Sequence, residues 1–315
     1  MTYVYKCGIM ISDNRQRSVI NTANRVERRR NGEYGARSKP KPKKKVKQKI
    51  IREPIASEWY YIIKWLAIIC MVCDHIRHLP IEWSDEAFLG LYMVGRMAFP
   101  LFAWELSECF HFTKHPVKHL LNIGLLAVVS EIPYDKAIKS GWFDWDWQNV
   151  CFTFLLSWLM LMALHADWSK LYEKCGLKVK GFIKLGAKAT GLGITTLLFI
   201  LAEKMHVDYI YYGVAYVMLF DFARNRKYRK LWEFIATVAF IGSAGSGLTE
   251  MYLTCFFSLA LIWWAEWDAK KPQKKNEAVS KVLLSKPSKL ICRYFYPAHL
   301  TILVIIGMIM NGVMK

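Results

Sequence analysis

Nine apolar runs punctuate the chain, at about 60–78, 88–111, 117–134, 150–167, 182–202, 207–222, 231–242, 248–267 and 294–314. Each is long enough to cross, or nearly cross, a bilayer core, which takes ~20 helical residues. The loops between them alternate in charge. Glu82-Trp83-Ser84-Asp85-Glu86 is acidic, and Tyr134 to Gln148 carries Asp135, Asp144 and Asp146. Glu203 to Asp208 is mixed and Ser243 to Gly247 neutral. His111 to His119, Lys170 to Lys184, Arg224 to Lys230 and Lys270 to Arg293 are instead rich in Lys/Arg. Every second loop is thus basic, as cytoplasmic loops are. The pattern predicts an all-α, polytopic transmembrane helix bundle of about nine spans, with the N-terminus cytoplasmic and the C-terminus outside. Trp59-Tyr60-Tyr61, Trp142 to Trp147, Trp263-Trp264 and Tyr294 to Tyr296 fall where lipid headgroups are expected. The run at 231–242 is short and leaves a re-entrant or tilted element open.

Composition divides the chain further. It is 54% hydrophobic yet carries a formal charge of +19, figures that conflict unless charge and apolar residues are segregated. They are: residues 1–58 hold sixteen Lys/Arg and five Asp/Glu. That segment has no apolar h-region, so no cleavable signal peptide is expected. A stretch such as Lys39-Pro40-Lys41-Pro42-Lys43-Lys44-Lys45 cannot bury a core. Residues 1–58 are therefore read as a disordered basic cytoplasmic tail and 59–315 as one transmembrane domain. A tail of this kind suits anionic headgroups of membrane lipids better than nucleic acid, which is not expected as a partner. Eight cysteines are present, five of them inside apolar runs without repeated spacing, as small buried hydrophobes.

The candidate chemistry lies in ionisable residues at membrane depth, which are costly there and face a cavity or a partner. The first run holds Lys64 and the pair Asp74-His75, the candidate chemical centre. Lys64 and His75 are eleven residues apart, which at ~100° and ~1.5 Å per residue puts them on one helix face, ~16 Å apart. Ile68 and Met71 share that face. The arrangement fits a long anionic ligand entering from the cytosol; a snorkelling lysine and an internally bonded histidine are the bland alternative. Asp74 is turned ~100° away from His75, and depth matches it to Arg96 in the second run, so an Asp74–Arg96 ion pair is expected. Glu105 and Glu108 lie one turn apart and fit either an acid–base pair or interhelical hydrogen bonding. Glu131, Asp135 and Asn149 are expected near His75 on the outer side. His299 is placed on the Lys64 side, at the start of the last run. Cys70-x-x-Cys73-Asp74-His75 has metal-binding residue types, but they point round several faces of one helix, so no metal is expected.

Several strings, in order from about residue 60 to the C-terminus, resemble the TraX family of membrane proteins, named for a conjugation protein that acetylates pilin. They are Ile63-Lys64-Trp65-Leu66-Ala67-Ile68-Ile69 with Asp74-His75-Ile76, Gly95-Arg96-Met97-Ala98-Phe99-Pro100-Leu101-Phe102-Ala103, and His111 with Thr113. Then come Ser130-Glu131-Ile132-Pro133-Tyr134-Asp135, Gln148-Asn149-Val150, Asp208-Tyr209 with Tyr212-Gly213-Val214, and Phe295-Tyr296-Pro297-Ala298-His299-Leu300. Arg77, Cys109 and Ser157 stand where the family commonly has glycine. The resemblance implies acyl transfer from acetyl-CoA to a protein or glycan acceptor by a multi-pass protein of the cell (plasma or inner) membrane. The Lys64-to-His75 spacing is also similar to the first-helix pattern of the large membrane acyltransferases.

By that resemblance His75, with Asp74, is the catalytic candidate. The resemblance also makes Lys64 cofactor-facing; by their places in the bundle Arg96 and His299 are grouped with Lys64 as cofactor-binding candidates, and Glu131, Asp135 and Asn149 as substrate-facing ones. A neutral imidazole suits a general base, Arg96 or the Asn149 amide is a candidate oxyanion donor, and an acetyl-imidazole intermediate stays open. A transporter or channel, and a non-catalytic membrane partner of a pilus or secretion assembly, are the competing classes.

Overall fold

The computed structural model describes residues 57–139, 141–142, 144, 146–175, 180–243, 253–269, 282–283 and 285–313. The basic tail up to residue 56, most of the basic stretch 270–284 and the neutral loop after Ser243 lie outside the described residues. The described chain is helical, with a single isolated bridge between Gln148 and Val207. The helices are α1 (Ser57–Ile76), α2 (Asp85–Arg96), α3 (Ala98–Phe112), α4 (Pro116–Tyr134), α5 (Val150–His165), α6 (Trp168–Lys174), α7 (Lys180–Lys204), α8 (Ile210–Arg224), α9 (Arg229–Ser243), α10 (Thr254–Asp268) and α11 (Lys286–Val313). A π-turn, Asp135–Lys139, follows α4.

Among the described residues, each of the nine apolar runs falls mainly on helix. Four helices among the described residues are long and apolar enough to cross a membrane: Glu58–Ile76, the combined Asp85–Phe112, Leu185–Lys204 and Lys286–Gly312. The pair α5–α6, bent by 63°, makes a fifth if taken as one span. The remaining α8, α9 and α10 have 15 residues each, ~22 Å of helix.

Local chemistry explains the boundaries. Ser84 caps α2 by accepting from the Ala87 N–H at 3.2 Å, and Asp85 and Glu86 complement its N-terminal dipole. The 88–111 run breaks at Met97 because Pro100, lacking an N–H, leaves the Arg96 carbonyl without its helical donor. Cys255 Sγ approaches that oxygen at 3.7 Å, and Ser258 Oγ donates to the Met97 carbonyl at 3.0 Å, so α10 supplies what the helix interruption frees. α11 begins at Lys286, eight residues before the expected start of the last apolar run.

α3 sits inside the bundle, against α1, α5, α8 and α10. Around it α11 packs on α1 and α4, α4 on α5, α5 on α8, α8 on α9, α9 on α10, and α10 returns to α1. α1 and α11 run parallel: Trp65 Nε1 donates to Ser288 Oγ at 3.1 Å, and about three turns further along both helices His75 meets His299. The core is aromatic, with Phe99 stacked on Tyr209 at 4.0 Å and on Phe240 at 5.3 Å. The outward faces are apolar too: Leu121, Leu125 and Val128 on α4, Leu185, Leu192 and Leu197 on α7, and Ile302, Ile305 and Ile309 on α11 are exposed. Exposed apolar stripes on helix after helix are a hazard in water and ordinary against lipid tails.

Candidate functional site

The site begins with a close approach of α1 and α2. A Cβ on Gly95 would lie 2.5 Å from Asp74 Cβ and 2.8 Å from Asp74 Cα, so only glycine lets the helices meet there. That contact brings Arg96 onto Asp74, Nη2 to Oδ2 at 2.5 Å, and the expected ion pair is present. Arg77 Nε adds a second contact, 3.2 Å from Asp74 Oδ1. The Arg96 guanidinium also lies over the Tyr92 ring at 4.7 Å and near the Tyr209 ring at 5.6 Å. Arg96, expected to face a cofactor, is instead directed into this clamp and lies outside the cavity's described lining.

His75 is buried and its Nδ1 lies 2.7 Å from His299 Nε2, with the ring planes 6° apart. The placement of His299 on the Lys64 side is thus corrected. Because α11 starts at Lys286, His299 is thirteen residues inside it, ~20 Å along the axis, at the depth of His75. His299 Nδ1 is 2.9 Å from the Phe295 carbonyl. A carbonyl only accepts, so with both rings neutral His299 carries its proton on Nδ1 and accepts at Nε2. His75 then donates from Nδ1, and its Nε2 keeps a bare lone pair. The Tyr296 ring stands edge-on to His75 at 6.0 Å, and its buried hydroxyl has no hydrogen-bond partner among the described residues.

Toward the other end of α1, Lys64 Nζ is 2.5 Å from Glu105 Oε1, which also accepts from the Tyr60 hydroxyl at 2.9 Å. Glu108 is 3.3 Å from Arg224 Nε. The two glutamates therefore have separate cations on separate helices, which is the interhelical bonding alternative rather than an acid–base pair.

A cavity of about 280 Å³ joins these features. Lys64, Ile68, Met71 and His75 all line it, so the face drawn from sequence spacing is the face turned to the cavity. Its lining runs from Lys64, Lys289, Arg293 and His119 at the start of α1, α11 and α4 to Asp74, His75, Asp208 and Tyr209. The loop bearing Asp208 has unusual backbone: His206, Tyr209 and Ile210 have φ of 46°, 62° and 42°, left-handed values that cost non-glycine residues energy. Burial pushes the Asp208 carboxyl up to about 6, with Arg96 pulling the other way and Asp74 adding to the rise.

Glu131, Asp135 and Asn149 form a separate knot outside the cavity's described lining. Asn149 caps α5, its Oδ1 accepting from the Cys151 N–H at 2.9 Å, while its amide donates to the Ala127 carbonyl at 2.9 Å and to Glu131. Its amide protons are committed, which removes it as an oxyanion donor. Asp135 is buried, accepting from the Asp144 N–H at 2.8 Å and 3.3 Å from Lys139 Nζ. Asp208, Tyr209 and Tyr296 received no role from sequence, though each stands in a string quoted for the family resemblance.

No curated protein and no solved structure matches the chain. The model of the family described as TraX protein matches residues 60–307, nearly the whole helical region that builds the cavity and its His75–His299 contact, and the chain therefore belongs to the TraX family.

Proposed function

We propose that this protein is an integral acyltransferase of the cell membrane, moving an acetyl group from cytosolic acetyl-CoA to an amine or hydroxyl acceptor, a pilin-like protein or a glycan. In this reading the bundle crosses the bilayer nine times with the N-terminus cytoplasmic, the 15-residue helices spanning a locally thinned or shielded core. The observation that carries it is the bare Nε2 of His75 in a cavity that Lys64, Lys289 and Arg293 also line.

Lys64, Lys289 and Arg293 would receive the donor's phosphates, and its thioester would reach His75. The acceptor's N–H or O–H gives its proton to His75 Nε2 as its heteroatom bonds the thioester carbonyl carbon. The tetrahedral oxyanion then needs a donor. Tyr296, buried beside His75 with its hydroxyl uncommitted, replaces Arg96 and Asn149 in that role. Collapse expels the CoA thiolate, which takes the proton back from His75. His299 fixes the tautomer of the base, as a third group does in other relays.

The test is CoA release from acetyl-CoA by purified protein in vesicles supplied with envelope acceptors. His75→Ala is expected to abolish it; a wild-type rate in that variant would sink the scheme. Solute flux without CoA release would support a transporter instead.

A further inference from the structure

A second cluster lies at the far end of α3. His111 is in the last turn of α3, His165 is the last residue of α5, and Asp221 lies in the last turn of α8. His111 Nε2 is 2.5 Å from Asp221 Oδ1, and His165 Nε2 is 2.9 Å from Asp221 Oδ2. Their three nearest donor atoms fall within 4.8 Å of one another. His111 is thirteen residues from Ala98, ~20 Å along α3, so the cluster is remote from the Asp74–Arg96 end and is no part of the proposed catalytic group.

We propose that His111, His165 and Asp221 bind one divalent transition-metal ion of the zinc class. Both rings turn the same nitrogen, Nε2, to one carboxylate, from three helices far apart in sequence. Two neutral imidazoles and a carboxylate are a donor set that such ions take, with a fourth position left for water or an anionic group. The rings meet at 87° with centroids 5.1 Å apart, so the two nitrogens converge from different directions instead of stacking. Phe110 touches both rings, at 5.7 Å and 5.3 Å, and holds them in place. Metal–ligand distances of ~2.0–2.2 Å put tetrahedral ligand atoms about 3.3–3.6 Å apart, so the His111 and Asp221 atoms, now 2.5 Å apart, would open by about 1 Å and those of His165 and Asp221, now 2.9 Å apart, by about 0.5 Å. Asp221 is largely buried while the His165 side chain is 41% exposed, which gives an ion a way in. Phe112 and Thr113, next to His111, line the cavity described above. A bound ion would therefore pin three helix ends beside the cavity mouth.

The experiment uses the full chain, freed of any histidine tag, in detergent. It is loaded with zinc sulfate or cobalt chloride and desalted. About one zinc per chain is expected, with cobalt giving visible ligand-field bands and zinc raising the thermal midpoint. His165→Gln, the change at the most exposed ligand and so the one least able to disturb folding, is expected to weaken zinc binding by at least ~10-fold and to abolish the cobalt bands. Asp221→Asn should do the same. A wild-type chain that retains no metal overturns the proposal. So do variants that retain as much zinc as wild type, or a thermal midpoint indifferent to zinc.

Discussion

His75 and His299 meet across two parallel helices, Nδ1 to Nε2 at 2.7 Å, although 224 residues separate them in the chain. The contact fixes where each proton sits and so which nitrogen of His75 is left for chemistry. Replacing His299 by Ala should therefore lower kcat for acetyl transfer by ~10-fold or more, while KM for acetyl-CoA stays near its wild-type value. The effect should be smaller than the ~100-fold or greater loss from removing the base itself. A rise in KM with kcat intact would place His299 in donor binding instead.

The Lys64–Glu105 pair separates a structural from a binding role. Lys64→Met leaves Glu105 partly buried beside one fewer cation, and such a loss costs about 3–5 kcal/mol. Adding Glu105→Gln should restore most of the thermal stability without restoring acetyl-CoA affinity. Equal recovery of both, read by thermal unfolding and by equilibrium binding, would leave Lys64 no role in donor recognition.

Gly95→Ala puts a methyl 2.5 Å from Asp74 Cβ and 2.8 Å from its backbone. Since backbone has to move, the change should destabilise by about 1–3 kcal/mol and loosen the Asp74–Arg96 clamp. Reversible unfolding in mixed micelles checks it, and a variant as stable as wild type would show the α1–α2 approach to be looser than described.

Asp208 gives a signed pH dependence. Its folded-state carboxyl titrates at about 6, raised from an ordinary 3.8, so folding favours the protonated form. That contribution is complete below the unfolded value and is lost as pH rises through about 6. The thermal midpoint of wild type should fall relative to Asp208→Asn across that interval. Parallel curves for the two proteins would rule the effect out.

Much of this was legible in the sequence, for reasons that differ by element. Where described, the nine apolar runs are mainly helical, because hydrophobic length reports a helix in lipid almost directly. The break at Met97, inside a run taken whole, had its signal in Pro100, and Asn149, taken as substrate-facing, had a capping signal as an asparagine set just before an apolar run. The Asp74–Arg96 pair followed from matching depths in two antiparallel neighbours. What failed was read from charge: the Lys-rich opening of α11 resembles a loop, which moved His299 to the wrong depth. Glu105 and Glu108 stay open in the sequence between an acid–base pair and interhelical bonding, because their partners, Lys64 and Arg224, come from helices that only the tertiary arrangement brings near.

The parallel seating of α1 against α11 has a consequence for biosynthesis. In the proposed scheme the first helix supplies the base and the last its orienting partner, so a nascent chain would carry no competent relay until its final helix is threaded and docked. Truncated or misinserted products are then silent by construction. On that scheme the protein would be switched on only by completing its own assembly.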